Sequence, residues 1–239
     1  MRSPERSGTE DRGVILWDFD GTLAFREGLW GACLLEVLDA EEVGHSVTRS
    51  RIGPRLATGY PWHEPDTPHP ELNESEAWWE MMNSLLSKAF VGLGYSSQRA
   101  TQLASKVRDR YTDPSSFQLF EDTLPTLRGL KTKGWTHAIL SNHVPELPRI
   151  VSGLGLDELV PNVYTSAAMG FEKPHPGAYD YALEDLGHPE RVWMVGDNVE
   201  ADVRGAERAG LPAILVRAEG NQRVKYQSRG LEGVERIIS

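Results

Sequence analysis

The 239-residue chain is 39% hydrophobic and 25% charged, enough apolar content for one substantial core, or a core with a smaller inserted unit. A formal net charge of −10 excludes an unassisted hold on nucleic acid, because phosphate backbones are gripped by clustered Lys and Arg. No apolar run approaches the roughly 20 residues that span a bilayer, so no membrane partner is expected, and the lone Cys33 excludes an intrachain disulfide, is read as buried filler and suits a reducing, cytoplasmic setting.

Residues 1–12 are polar and charged, without helical or strand periodicity and without the apolar stretch of a signal peptide, so a mobile tail is expected there. Val14-Ile15-Leu16-Trp17 is a short continuous apolar run, as expected of a central parallel strand covered on both faces. The stretch from Ala24 to Asp113 is too long for a loop and shows helical periodicity at Trp30–Leu38, Ala77–Phe90 and Ala100–Tyr111, which predicts an inserted helical domain. Within it, the segment 59–70 is broken by prolines and is read as a loop. Its His63, Glu64, Asp66 and His69 are read as water-facing rather than as a metal cluster. Trp30, Trp62, Trp78 and Trp79 are expected to fill a small helical core, with about one of them facing a ligand.

Further apolar runs follow at Thr136–Leu140, Val192–Val195 and Ala213–Val216, separated by segments of helical length. This alternation predicts an α/β fold with a doubly wound, mostly parallel sheet, built from residues 13–23 and 114–239 around the inserted unit 24–113. Val234–Ile238 is expected to pack as a last strand or helix.

Asp18-Phe19-Asp20-Gly21-Thr22 places two carboxylates two residues apart directly after a buried strand, where a turn permitted by Gly21 aims both into one crevice. Taken alone, the pair also suits an ordinary turn in which Asp side chains cap backbone N–H groups. The pattern resembles the first motif, Asp-x-Asp-x-Thr, of the haloacid dehalogenase-like superfamily of phosphohydrolases. Three further motifs of that superfamily have counterparts in order along the chain. They are Ser141 at the end of Ala138-Ile139-Leu140, the lysine of Glu172-Lys173-Pro174, and the acidic pair of Gly196-Asp197-Asn198-Val199-Glu200-Ala201-Asp202.

The resemblance implies a Rossmann-like core and an α-helical cap domain over residues 24–113. It also implies a phosphatase acting on a small phosphorylated metabolite with Mg2+ as cofactor. Asp18 would attack phosphorus and Asp20 would serve as acid and then base. The ion would be held by Asp18, the Asp20 backbone carbonyl and Asp197, with Asp202 behind them. Ser141 and the Asn142 backbone N–H would bind phosphoryl oxygens and Lys173 would supply positive charge. Thr22 would bond a phosphate oxygen or brace the turn. His143 and His175 lie beside the motifs and receive no role.

A phosphomutase would keep all of these residues. A dehalogenase would lack the need for Asp20 and Asp197, and a non-catalytic phosphate binder would have no need of the full set. Sugar phosphates, nucleotides and phosphoglycolate all remain open as substrates, and the oligomeric state is not legible.

Overall fold

The computed structural model describes residues 13–218, 220 and 223–239; the tail expected at residues 1–12 lies outside them. The chain opens with β1 (Gly13–Trp17), a short strand β2 (Ala24–Phe25), and a helical segment made of α1 (Leu29–Glu41), α2 (Arg49–Ile52), α3 (Ser75–Gly92), α4 (Ser97–Ala104) and α5 (Val107–Tyr111). It continues through β3 (Gln118–Leu119), α6 (Thr123–Thr132), β4 (Trp135–Ser141), α7 (Leu147–Gly153), β5 (Asn162–Thr165) and α8 (Ser166–Met169). The last elements are α9 (Pro176–Asp185), β6 (Val192–Gly196), α10 (Gly205–Arg208), β7 (Ala213–Leu215) and α11 (Val234–Ile238).

Five strands form one sheet in the order β5-β4-β1-β6-β7, and every adjacent pair is parallel. The apolar runs carry no alternation because both faces are covered. Ile15, Trp17, Ile139, Trp193 and Val195 point to one face and pack with Leu127, Leu147, Ile150 and Val234. Val14, Leu16, Ala138, Leu140, Val192 and Met194 point to the other, against Ala178, Tyr179, Ala182 and Ala206. A side-chain period of two, with helices on both sides, turns a patternless run into two cores. Strand β5 shows no such run, since two of its four residues are only half-buried at the sheet edge.

The helical segment 29–111 leaves and rejoins the core through β2 and β3, which pair antiparallel with each other. Its interior is continuous with one face of the sheet rather than separate from it: Phe19 meets Phe117, and Phe117 meets Tyr111, with ring centroids 5.8 and 6.1 Å apart. The helix expected over Ala100–Tyr111 is broken into α4 and α5 at Ser105, whose hydroxyl donates to the Gln102 carbonyl and competes with the helical backbone. The proline-rich segment makes only single turns at Pro61–His63 and Pro70–Leu72. Its His69 is buried rather than water-facing, because its backbone N–H donates to the Gly170 carbonyl at 2.9 Å and the ring lies 3.5 Å from Glu172. Cys33 is buried among the helices, and that burial pushes its thiol up to about 12. No helix among the described residues is long and apolar enough to cross a membrane.

Candidate active site

The central strand β1 lies between β4 and β6, so the chain departs from it in opposite directions and leaves a crevice at the carboxyl ends of the three strands. Asp18 is the first residue past β1, and its N–H donates to the Val195 carbonyl at 2.9 Å, which carries the sheet register one step into the site. The backbone then folds sharply: the N–H groups of Thr22, Leu23 and Ala24 all point to the Phe19 carbonyl at 3.0–3.2 Å. Gly21 has φ +82° there, and a Cβ at that position would strike the carboxylate of Asp197, so both conformation and space require glycine. Gly196 is constrained likewise, since a Cβ would run into the Asp202 side chain.

These turns gather the charged groups. Asp18 Oδ1 accepts hydrogen bonds from Ser141 Oγ and from Lys173 Nζ, both at 2.9 Å, and no donor among the described residues reaches Oδ2. Lys173 also donates to Asp202 Oδ1 at 2.6 Å. Burial works against the lysine charge, but the Asp18 and Asp202 carboxylates outweigh it and hold the ammonium well above its ordinary range. The carboxylates outnumber their cation. Burial, then Asp18 and Asp197, raise Asp20 to about 8; burial raises Asp202 to about 7 against the pull of Lys173. At the exposed mouth, burial of the carboxyl and the charge of Asp18 raise Asp197 to about 6.

Asp18, Asp197 and Asp202 each offer a carboxylate oxygen, and these three oxygens lie within 4.8 Å of one another. Hard oxygen donors with an excess of negative charge suit a small divalent cation such as Mg2+. The Asp20 carboxylate stands apart from the group: its Oδ2 is 3.4 Å from His143 Nε2, and its Oδ1 is buried without a partner among the described residues. Asp202, expected behind the ion's ligands, lies beside the other two carboxylates with both of its oxygens already accepting, from Lys173 Nζ and the Asn198 N–H, while the Asp20 carboxylate is outside this group.

A cavity of about 350 Å3 opens over this cluster. Its floor is formed by the strand-end residues, and its wall by Leu29, Trp30, Trp62, Trp78 and Tyr111 from the helical segment. Three of the four tryptophans thus face the cavity, where about one was expected. Trp79 turns away and donates from Nε1 to the Glu146 carboxylate at 3.0 Å.

A family model for haloacid dehalogenase-like hydrolases matches residues 13–210. The chain belongs to this family. A haloacid dehalogenase-like hydrolase domain-containing protein 3 from Homo sapiens is 32% identical over 144 residues, which is 59% of this chain and 56% of that protein. This chain thus spans little more than half the length of that relative. A phosphoserine phosphatase from Thermus thermophilus is 31% identical over 180 residues, 74% of this chain and 66% of that protein. Among solved structures, a HAD phosphatase from Thermococcus onnurineus superposes with a TM-score of 0.64 at 24% identity, covering 95% of this chain and 97% of that one, and so shares its fold.

Within this haloacid dehalogenase-like frame, several residues act through contacts that the motifs do not announce. The Asn142 side chain clamps the Lys173 backbone: Nδ2 donates to the Lys173 carbonyl and Oδ1 accepts from the Lys173 N–H, both at 2.7 Å. Its side chain thus positions the lysine, beside the phosphate-binding role expected of its backbone N–H. Thr22 is fully buried and absent from the cavity lining; its hydroxyl is directed at Asp197 Oδ1, at 3.5 Å, which gives it the bracing position of the two that were expected. His143 is buried against the Phe19, Tyr111 and Phe117 rings, and burial lowers its imidazole to about 4, so it faces Asp20 as a neutral ring. Asn198 caps the π-helical turn Val199–Arg204 by accepting from the Glu200 and Ala201 N–H groups, while its own N–H donates to Asp202 Oδ2 at 2.9 Å. His175 caps α9 through Nδ1 and takes no part in the cluster. The only signal for His143 was its place two residues past Ser141; its pairing with Asp20, 123 positions away, is a product of the sheet order.

Proposed function

We propose that the chain is a divalent-cation-dependent phosphatase that hydrolyses a small phosphate monoester through a phosphorylated Asp18. The observation that carries this reading is the state of Asp18: Ser141 and Lys173 hold its Oδ1, and no donor among the described residues reaches Oδ2, in a residue that lines the cavity. A carboxylate fixed by one oxygen presents the other as a nucleophile in a defined direction. Beside it stands Asp20, kept protonated near neutral pH by burial and by neighbouring carboxylates, as a general acid must be.

Asp18 and Asp197, with Asp202 and the Asp20 carbonyl beside them, would hold the ion, and Mg2+ would supply charge neutralisation between the carboxylates and the incoming phosphate. In the first half-reaction Asp18 Oδ2 forms a bond to phosphorus as the ester oxygen leaves with the Asp20 proton. In the second, Asp20 takes a proton from water, the water oxygen bonds phosphorus, and the bond to Asp18 breaks to release inorganic phosphate. Lys173 and Ser141 stabilise the equatorial oxygens, and the neutral His143 ring, 3.4 Å from Asp20 Oδ2, brings no positive charge against the protonated Asp20 carboxyl that moves the proton. The helical segment serves as the cap that excludes water and meets the leaving group. Asp20 and Asp197 favour this reading over dehalogenation, which makes no use of either.

Hydrolysis of p-nitrophenyl phosphate by the full chain tests the reading, run with Mg2+, with EDTA and with Asp18→Asn. Turnover lost in both controls supports it. Turnover that survives Asp18→Asn would rule out the Asp18 nucleophile.

A further inference from the structure

The helical segment contributes Leu29, Trp30, Trp62, Trp78 and Tyr111 to the cavity and no charged side chain. Among the described residues, the one ammonium or guanidinium in the lining is that of Lys173, and it is already held by Asp18 and Asp202. On the side of the helical segment, a ligand whose phosphate sits on the strand-end cluster therefore meets aromatic and aliphatic side chains, whose polar atoms are the Tyr111 hydroxyl and the indole N–H groups. A second anionic group placed there would lose its water and find no cation, and the electron-rich ring faces would repel it. The tryptophan faces are partly used by other rings: Trp30 lies flat on Tyr111 with centroids 3.8 Å apart, and Trp62 lies flat on Tyr60 at 4.8 Å. This pairing makes a stiff wall of ring edges and partial faces rather than an open cage around a cation. Polar opportunities are few: among the described residues, the buried Nε1 of Trp78 on the wall and, on the floor, the His143 ring nitrogens, Asp20 Oδ1 and Glu172 Oε2 have no hydrogen-bond partner, which suits a hydroxyl but supplies no cation.

The volume limits the ligand as well. About 350 Å3, shared with the phosphate, lies at the low end of the roughly 300–1,000 Å3 of small-molecule sites, and leaves room for one ring or a short chain. We propose that the organic part of the substrate is an uncharged, apolar or aromatic alcohol of about one ring's size, selected by Trp30, Trp62, Trp78 and Tyr111 against esters that carry a second anion. This proposal rests on the phosphatase reading for the placement of the phosphate.

The test compares kcat/KM of the full chain with Mg2+ on benzyl phosphate, 3-phosphoglycerate and phosphocholine, as aromatic, carboxylate-tailed and cationic representatives. Benzyl phosphate is expected to lead 3-phosphoglycerate by about a hundredfold, the scale of discrimination that pocket contacts reach. Trp30→Ala is expected to shrink that ratio by about tenfold, chiefly through KM on benzyl phosphate, and Trp30→Phe, which keeps a ring, to restore most of it. Binding is measured in parallel by calorimetry with benzylphosphonate against phosphonoacetate, neither of which needs turnover. If esters are hydrolysed but 3-phosphoglycerate or phosphocholine leads, or if Trp30→Ala leaves the ratio unchanged, the proposal falls and the phosphatase reading stands. If nothing is hydrolysed yet benzylphosphonate still binds in preference, the phosphatase reading falls and the ligand class stands; equal or reversed binding ends both.

Discussion

At the carboxyl ends of β1, β4 and β6, four aspartates and one lysine crowd over Ser141; specific hydrogen bonds from the backbone or from neighbours hold Asp18, Asp197, Asp202 and Lys173, and burial beside His143 places Asp20. On the opposite side of the same cavity the helical segment offers three tryptophans, one leucine and one tyrosine, held by ring packing. The floor is an electrostatic device, in which position is everything and each residue type is nearly irreplaceable. The wall is a hydrophobic surface, in which total shape counts and several residue types serve equally. A haloacid dehalogenase-like hydrolase can therefore keep one floor while its wall, and with it the ligand, changes.

The largest expected effect breaks the floor at its centre. Asp18→Asn keeps the shape and both hydrogen-bonded neighbours but removes the nucleophilic charge, and kcat should fall by about 10^4-fold or more with the fold intact by circular dichroism. Asp20→Asn is expected to cost about 10^2–10^4-fold, the range of a lost general acid. It carries a second signature. Asp20 must be protonated to serve the leaving oxygen, so kcat/KM of the parent should decline with rising pH above the Asp20 pKa, about 8 without a cation and lower once one offsets the neighbouring carboxylates. The variant should lack that decline; a decline of unchanged position in Asp20→Asn would assign it to another group.

The seam between floor and wall is Glu146, on the core side after Ser141. Its carboxylate accepts from Trp79 Nε1, Ser75 Oγ and Arg108, all in the helical segment, at 2.9–3.2 Å. Glu146→Ala leaves the buried indole N–H without an acceptor and should cost about 2–3 kcal/mol in urea unfolding. Amide exchange in α3 should speed up more than in β1 and β4. If exchange rises equally in all three, Glu146 supports the whole fold rather than the seam.

Much of the floor was legible in the sequence because it is written locally. Asp18-x-Asp20, Gly196-Asp197 and the lysine before Pro174 each sit where a strand or loop ends, and an apolar run followed by an acid marks such an end without knowledge of the partner strands. The contacts that finish the site are long-range and leave no local trace. Asn142 and Lys173 are 31 residues apart, and nothing near either predicts the paired 2.7 Å bonds between them. His69 sits among prolines and polar residues, the composition of a solvated loop, and only the approach of Gly170 and Glu172 buries it. The wall was misjudged for a related reason: a tryptophan at helical spacing looks the same whether its ring fills a core or lines a cavity. Strand β5 was missed because an edge strand with two half-buried residues has no continuous apolar run.

The smallest effect separates the acid response of the floor from that of the sheet beneath it. His137 on β4 is buried, accepts from Trp17 Nε1 at Nδ1 (3.1 Å) and donates from Nε2 to the Leu127 carbonyl (2.9 Å), so it is fixed as a neutral ring. Burial lowers its pKa to about 4, from 6.5. Between those values the unfolded chain binds a proton that the folded chain refuses, so this group's contribution to stability is complete above pH 6.5 and is lost as pH falls toward 4. From pH 7 to pH 5 the loss is about 2 kcal/mol, at 1.36 kcal/mol per unit. The raised carboxyls of Asp20 and Asp202 act in the opposite sense: the folded chain keeps protons there that the unfolded chain releases, so acid favours the fold through them. Net stability against pH therefore conceals both. Comparison of the parent with His137→Gln, which cannot take up the proton, isolates the first. The parent's advantage should shrink by about 2 kcal/mol between pH 7 and 5 in urea unfolding; a constant difference would mean that His137 titrates alike in the folded and unfolded chain, and a growing one that the fold holds it charged. Saturating Mg2+ should steepen the parent's acid loss, because a cation that keeps the floor ionised removes the opposing contribution and leaves the histidine's alone.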